Sequence, residues 1–120
     1  MAHPQLSNTS PHLAPEVALH PSRLHDKIFE AERTFAGDPF LTTALPNGQS
    51  ETTDFKTAIQ SAYTLATYLR EELGYEQGDV VAIQSPNCTS YIVSLLGVYL
   101  AGLTITNVNP LYTAAETRRH

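Results

Sequence analysis

The sequence predicts an α/β fold with a β-hairpin, helices and one βαβ unit of a parallel sheet. Two apolar, β-branched stretches, residues 80–83 and 103–108, flank an apolar helical stretch, which is the pattern of a βαβ unit. Upstream, an Asn-Gly pair between two short strand-like stretches indicates a hairpin. The 120 residues are 42% hydrophobic and 16% charged, a composition typical of a globular protein.

The first predicted helix follows Ser22, which can cap it, and runs to about Phe35. Its apolar residues recur at helical spacing and predict one stripe that packs on another element: Leu24, Ile28, Ala31 and Phe35. Gly37-Asp38-Pro39 ends this helix. Residues 1–21 are rich in Pro, His and Ser and are expected to form a mobile tail.

The hairpin is predicted over residues 40–53, with its turn at Pro46-Asn47-Gly48-Gln49. Thr53 and Asp54 then open the most regular helix of the sequence. Its apolar residues recur every three or four positions: Phe55, Ile59, Ala62, Ala66, Leu69 and Leu73. Gly74 stands where a C′ glycine ends a helix.

The βαβ unit begins with residues 80–83, a continuous apolar run that predicts a strand buried on both faces. Asn87 can cap the following helix, predicted over residues 88–101 and expected to be enclosed because it is apolar nearly all round. The strand at 103–108 completes a unit whose crossover is right-handed in nearly every known case.

A capping box is predicted near the end of the sequence, from Thr113 and Glu116. Only residues 114–120 follow its cap, so a frayed helix of one or two turns is expected there.

Charge and hydropathy exclude several classes of partner. A net charge of −5 disfavours binding to nucleic acid. The long apolar run, residues 91–103, is shorter than the roughly 20 residues that cross a bilayer, so no membrane span is predicted. The single cysteine, Cys88, fits a reducing compartment, and the first twenty residues lack the pattern of a secretory signal. A cytoplasmic location is therefore expected.

Glycine and histidine spacing give no nucleotide or metal site. The six glycines are isolated, so neither common phosphate-binding glycine motif occurs. No two histidines share a helical metal-ligand spacing, and we interpret them as tail or surface residues. The histidines are His3, His12, His20, His25 and His120.

Two side-chain groups resemble catalytic residues but have simpler interpretations. Cys88 adjoins a predicted helix N-terminus, which favours thiolate, yet no histidine stands near it in sequence; we favour a structural cysteine. Glu71 and Glu72, beside Arg70, project about 100° apart on a helix and fit its solvated end.

Asn107 and Asn109 offer two readings. They could hold a ligand at the carboxyl end of a strand, where open α/β sheets bind theirs. Alternatively, Asn109-Pro110 forms a turn and Asn107 satisfies loop backbone, which is the interpretation we favour.

Residues 78–116, GDVVAIQSPNCTSYIVSLLGVYLAGLTITNVNPLYTAAE, closely resemble the early part of the adenylate-forming acyl-CoA synthetases. That family includes plant coumarate:CoA ligases and long-chain fatty acyl-CoA ligases. The resemblance covers about residues 22–120, with Leu103 and the strand at 104–106 as mild departures. It is carried by Gly78-Asp79, Pro86-Asn87, Ala101-Gly102, Asn109-Pro110, Tyr112-Thr113 and Glu116.

The resemblance implies an enzyme that joins a carboxylic acid to ATP, with Mg²⁺ on the phosphates, and then transfers the acyl group to coenzyme A. The family's phosphate loop, adenylate-binding motifs and catalytic lysine lie further along the chain, and none occurs in these residues. No catalytic, cofactor-binding or metal-binding residue is therefore assigned.

Residues 22–120 are accordingly expected to be an incomplete N-terminal part of an AMP-binding domain, inactive alone. The alternatives are a stand-alone α/β interaction module without catalysis and a small nucleotide-binding domain. Self-association through uncovered apolar surface is also expected, and a peroxisomal location stays open for a full-length form.

Overall fold

A computed structural model describes residues 23–119, which form two small sheets and the helices that join them. The elements are α1 (Leu24–Phe35), β1 (Pro39–Ala44), β2 (Ser50–Asp54), α2 (Phe55–Thr67), β3 (Val80–Gln84), α3 (Thr89–Leu100), β4 (Thr104–Val108) and α4 (Ala114–Thr117). Strands β1 and β2 pair antiparallel, and β3 and β4 pair parallel. The predicted α/β class, with a hairpin and one βαβ unit, is confirmed.

Helix α1 begins one residue later than its predicted cap would place it. Arg23 is the N-cap residue and contributes no side-chain hydrogen bond, while Ser22 and the predicted tail lie outside the described residues. Ile28 is buried, but Leu24 and Phe35 are 59% and 50% exposed, so the predicted apolar stripe is wrong at both ends. The reason is that only the middle of α1 finds cover in the described part of the chain.

The hairpin matches its prediction, including the polar second strand. Gly48 has φ +80° and its N–H donates to the Leu45 carbonyl (3.0 Å), while the Leu45 N–H donates to the Gln49 carbonyl (2.8 Å). A positive φ favours glycine because it has no Cβ. Across the strands, the hydroxyls of Thr42 and Thr52 lie 3.0 Å apart and form a polar cross-strand pair.

Helix α2 starts at the predicted cap, because the Asp54 carboxylate accepts from the backbone N–H of Thr57 (2.7 Å) and from its hydroxyl (2.9 Å). Its last turn is wider than predicted. Residues Tyr68–Glu72 form a π-helix, and the Leu73 N–H donates to the Tyr68 carbonyl (3.1 Å). Gly74, with φ +71°, ends the helix as expected.

The core lies between the C-terminal half of α2, α3 and one face of the parallel strand pair. Its buried residues come from the helices and the start of β4: Ala66, Leu69, Val98, Ala101 and Leu103. Val81 and Ile83 of β3 and Ile105 of β4 pack against this cluster and are half-buried. Helix α3 therefore crosses from β3 to β4 over the covered face of the sheet.

Two burial predictions for the βαβ unit are wrong. Strand β3 alternates in exposure, with Val80 59% exposed and Ala82 exposed, so one face is uncovered in the described chain. Helix α3 is half-buried along most of its length, and Tyr99 is 48% exposed, so it is not enclosed. The elements of residues 23–119 that pack against β3 and α3 supply too little surface to cover a strand and a helix that are apolar on every side.

Helices α2 and α3 approach closely at Gly97. A Cβ at this position would lie 3.0 Å from the Ala62 carbonyl oxygen and 2.8 Å from Leu65 Cδ2. Only glycine leaves room for this approach, and Ala58, Ile59 and Ala62 are fully buried on the α2 side. Within residues 23–119, no helix is long and apolar enough to cross a membrane.

Candidate functional site

The carboxyl ends of β3 and β4 meet at one edge of the parallel pair, since Gln84 is aligned with Val108. Open α/β sheets bind ligands at such edges. We call the two segments that follow these strands, residues 85–88 and 109–113, the carboxyl-end loops. They contain Cys88 and Asn109, two of the residues that the sequence singles out, and they are the described region where a site is expected.

The loop after β4 is a turn held by its own hydrogen bonds. The Asn109 side-chain carbonyl accepts from the Leu111 N–H (2.9 Å), and the Tyr112 N–H donates to the Asn109 backbone carbonyl (3.0 Å). The Gln84 side-chain amide also donates to the backbone carbonyls of Asn109 and Tyr112, each at 3.2 Å. The favoured turn interpretation of Asn109-Pro110 is confirmed. Its second part is wrong, because Asn107 lies exposed within β4 and its side chain makes no hydrogen bond to loop backbone among residues 23–119.

The capping box that follows this turn is also confirmed. The Thr113 N–H donates to the Glu116 carboxylate (2.8 Å), and the Glu116 N–H donates to the Thr113 hydroxyl (3.4 Å). The Thr113 N–H, and then its hydroxyl, lower the pKa of the Glu116 carboxyl group. Helix α4 covers Ala114–Thr117, which is one turn, in agreement with the expected short helix.

The loop after β3 leads to Cys88, which is the N-cap residue of α3. Ser85 and Cys88 place Oγ and Sγ 3.8 Å apart. The backbone N–H of Tyr91, and then the Ser85 hydroxyl, lower the pKa of the Cys88 thiol against the opposing effect of desolvation. A thiolate at this position is favoured by the start of the helix.

The predicted Asn87 cap of α3 is wrong, because a strand residue takes over its function. The Thr89 N–H donates to the hydroxyl of Thr43 on β1 (3.2 Å), and the two threonine hydroxyls lie 2.6 Å apart. Thr43 thereby satisfies a backbone donor that has no partner within the helix. This cap joins residues 46 positions apart, so no local sequence signal reveals it.

The remaining candidates are not brought to the carboxyl-end loops. His25 lies on α1 beside Asp26, with Nε2 and Oδ1 3.5 Å apart, while the other histidines lie outside the described residues. Glu71 and Glu72 are exposed on the π-helix, as expected for a solvated helix end. Among residues 23–119, Cys88 therefore has no imidazole as a hydrogen-bond partner, and a nucleophile needs a base within reach.

The described residues do not fit ATP or Mg²⁺. Among residues 23–119, no three His, Cys, Asp or Glu side chains cluster as a metal site requires. Gly78 and Gly102, both with positive φ, serve turns at the amino ends of β3 and β4, where the Gly78 N–H donates to the Gly102 carbonyl (3.2 Å). The glycines thus shape the edge opposite the carboxyl-end loops and form no phosphate cradle.

A match to a protein-family model identifies the family of the chain. The family model described as AMP-binding enzyme matches residues 30–119, which include both sheets and the carboxyl-end loops. The chain belongs to the AMP-binding enzyme family. The resemblance seen in the sequence is therefore confirmed.

Two curated relatives of this AMP-binding chain are CoA ligases. A long-chain-fatty-acid–CoA ligase of Yersinia pestis is 41% identical over 66 residues, which are 55% of this chain and 12% of the ligase. The 4-coumarate–CoA ligase 1 of Arabidopsis thaliana is 37% identical over 93 residues, which are 78% of this chain and 16% of that ligase. The matched region thus spans less than a fifth of either relative.

Solved structures confirm the fold. A fatty acyl-adenylate ligase from L. pneumophila, in complex with acyl adenylate and pyrophosphate, superposes with a TM-score of 0.65 at 24% identity, covering 71% of this chain and 15% of its own. ATP-bound MatB from Rhodopseudomonas palustris gives a TM-score of 0.54 at 24% identity, covering 73% and 18%. The AMP-binding chain therefore has the fold of one part of adenylate-forming ligases.

Proposed function

We propose that residues 22–120 are the opening part of the AMP-binding domain of an acyl-CoA-synthetase-like ligase. The observation that carries the proposal is the family match over residues 30–119, joined to the two acid–CoA ligases reported above as curated relatives. The same residues form the two sheets, the α2–α3 pair and the carboxyl-end loops. Their proposed role in the ligase is structural, as part of the fold of the AMP-binding domain.

The proposed reaction of the full-length ligase has two steps. A carboxylic acid attacks ATP to give an acyl adenylate and pyrophosphate, and the thiol of coenzyme A then displaces AMP to give the thioester. Mg²⁺ would neutralise charge on the phosphates. None of these groups is assigned to a residue described here, because residues 23–119 offer neither a phosphate cradle nor a metal-ligand cluster.

The chain by itself is proposed to be catalytically silent. Among residues 23–119, the Cys88 thiol has no imidazole as a hydrogen-bond partner, although the backbone N–H of Tyr91 and the Ser85 hydroxyl lower its pKa. The unpaired thiol supports a cytoplasmic location, and a peroxisomal one stays open for a full-length form. The relatives reported above are CoA ligases and give no support to the alternative of a stand-alone interaction module.

Isotope exchange between ATP and pyrophosphate tests this proposal. The purified 120-residue chain would be incubated with Mg²⁺ and a panel of fatty acids and hydroxycinnamic acids, beside a mock preparation from the same host. Acid-dependent exchange equal to the mock preparation is expected. Exchange above the mock value, with any acid of the panel, would contradict the proposed silence of the chain.

Self-association stays a prediction. Val80, at 59% exposed, and Ala82 leave an apolar face of β3 uncovered in the described chain. Sedimentation of the purified chain over a range of concentrations measures it directly. An apparent molecular mass that rises with concentration is expected, and a monomer at every concentration would contradict the prediction.

A further inference from the structure

The turn of the hairpin carries the pair Asn47-Gly48, whose residues are both exposed. An asparagine followed by glycine is chemically vulnerable, because the backbone nitrogen of glycine can reach the side-chain carbonyl carbon without hindrance from a Cβ. Around Gly48 no atom outside its immediate neighbours lies within 4 Å of where a Cβ would stand, so no packed side chain crowds the α-carbon of this turn residue.

We propose that Asn47 is a site of spontaneous deamidation, and that the closed turn restrains the reaction. The Gly48 nitrogen attacks Cγ of Asn47, a new N–Cγ bond forms, and the Cγ–Nδ2 bond breaks. The amide nitrogen leaves as ammonia with the proton from the Gly48 N–H. Water then opens the succinimide ring to aspartate or isoaspartate, and no oxidant or reductant is consumed.

Three hydrogen bonds restrain the Gly48 nitrogen and the Asn47 side chain, which must move towards each other for the attack. The Gly48 N–H is engaged with the Leu45 carbonyl (3.0 Å), so the attacking nitrogen is fixed within the turn. The Asn47 side-chain carbonyl accepts from the Gln49 N–H (3.0 Å), and its amide donates to the Gln49 side-chain carbonyl (2.9 Å). Reaction therefore requires the turn to open, and exposed hydrogen bonds of this kind open readily.

The product changes the hairpin and, through it, the start of α3. Isoaspartate adds a main-chain atom to a connection whose ends are aligned as Ala44 with Ser50. Thr43, which directly precedes Ala44 on β1, caps α3 by accepting a hydrogen bond from the Thr89 N–H. Faster amide hydrogen exchange at Thr89 is therefore expected in the isoaspartate form than in the unmodified chain.

The experiment follows peptide mass and isoaspartate content of the full 120-residue chain during incubation in mildly alkaline buffer. The chain supplies its own comparators. Asn87 and Asn107 precede Cys88 and Val108, whose side chains hinder ring closure, and Asn109 precedes a proline without an N–H. Modification concentrated at Asn47 is expected, with less at the first two comparators and none by this route at Asn109.

Two further measurements test the deamidation site and its restraint by the turn independently. Gln49→Ala removes one side-chain hydrogen bond, so deamidation about fivefold faster is expected. Denaturation in urea should accelerate the wild-type chain further, to a rate that Gln49→Ala no longer changes. Equal rates in the folded and unfolded wild type would overturn the restraint. An unfolded chain in which Asn47 reacts no faster than Asn107 would overturn the site itself.

Discussion

Replacement of Gly97 by alanine tests the packing that joins the two central helices. The added Cβ would lie 3.0 Å from the Ala62 carbonyl oxygen, 3.0 Å from Leu65 Cβ and 2.8 Å from Leu65 Cδ2. The leucine methyl can rotate away. The backbone carbonyl of Ala62 cannot do so without moving α2, which is fully buried at that residue.

The magnitude follows from two opposing effects. Overpacking in a filled interior costs about 1–3 kcal/mol of unfolding free energy. Exchange of glycine for alanine inside a helix returns at most about 1 kcal/mol. We therefore expect Gly97→Ala to lower the free energy of unfolding by about 1 kcal/mol, which corresponds to a fall in Tm of about 4–8 °C.

Urea unfolding followed by circular dichroism measures this change, with Gly37→Ala as the matched control. Nothing lies within 4 Å of a Cβ at Gly37, and its φ is not positive. The control is therefore expected to be neutral or stabilising by up to about 1 kcal/mol. If Gly97→Ala were as stable as Gly37→Ala, the close approach of α2 and α3 would be refuted.

Three further changes probe the caps and the thiol. The Thr57 backbone N–H, and then its hydroxyl, lower the pKa of Asp54. The stability that the Asp54 charge contributes is therefore present above the pKa of this group in the unfolded chain, and it is lost as pH falls through the lower pKa of the folded chain. Asp54→Asn should flatten that part of a stability–pH profile, and an unchanged profile would refute this effect. Thr43→Val should cost about 1 kcal/mol by leaving the Thr89 N–H without its acceptor, whereas Thr43→Ser should not, and equal urea midpoints for the two would contradict the cap. Alkylation of Cys88 should show an apparent pKa below that of an ordinary thiol, and a profile at the ordinary value would show that the helix start does not act on it.

Local patterns of the sequence predicted the elements that local interactions build. The Asp54 cap, the Asn47-Gly48 turn, the Gly74 helix end and the Thr113 capping box each involve residues within a few positions of one another. Their chemistry is readable because the same residue types perform it in any fold. The βαβ order was readable for the same reason, from apolar runs of strand and helix length.

Features that depend on distant residues were missed. The cap of α3 is supplied by Thr43 from another sheet, and its local candidate Asn87 is not used. The π-helix at Tyr68–Glu72 has no residue signal of its own. Gly97 did carry a signal, as an isolated glycine within an apolar helix, and the structure explains it by the approach of α2.

The burial errors have one physical cause. The apolar run of β3 and the all-round apolar α3 indicate surfaces that are covered on every side, whereas residues 23–119 cover one face of each. The apolar composition of a segment indicates how much of its surface is covered, and part of that cover can come from outside the described residues. For the candidate site, the strand ends were predictable from the apolar runs, and the sequence assigned no catalytic group to them.

A chimaeric ligase tests whether residues 30–119 form part of an adenylate-forming domain. Residues 30–119 would replace the matched segment of the Arabidopsis 4-coumarate–CoA ligase 1, and acid-dependent ATP–pyrophosphate exchange would be measured together with thermal unfolding. We expect a cooperatively folded chimaera that retains exchange, and we expect it to lose cooperative folding when Gly97 is replaced by a large residue. A chimaera that unfolds cooperatively like the parent ligase yet supports no exchange would contradict the claim that these residues frame an adenylate-forming domain.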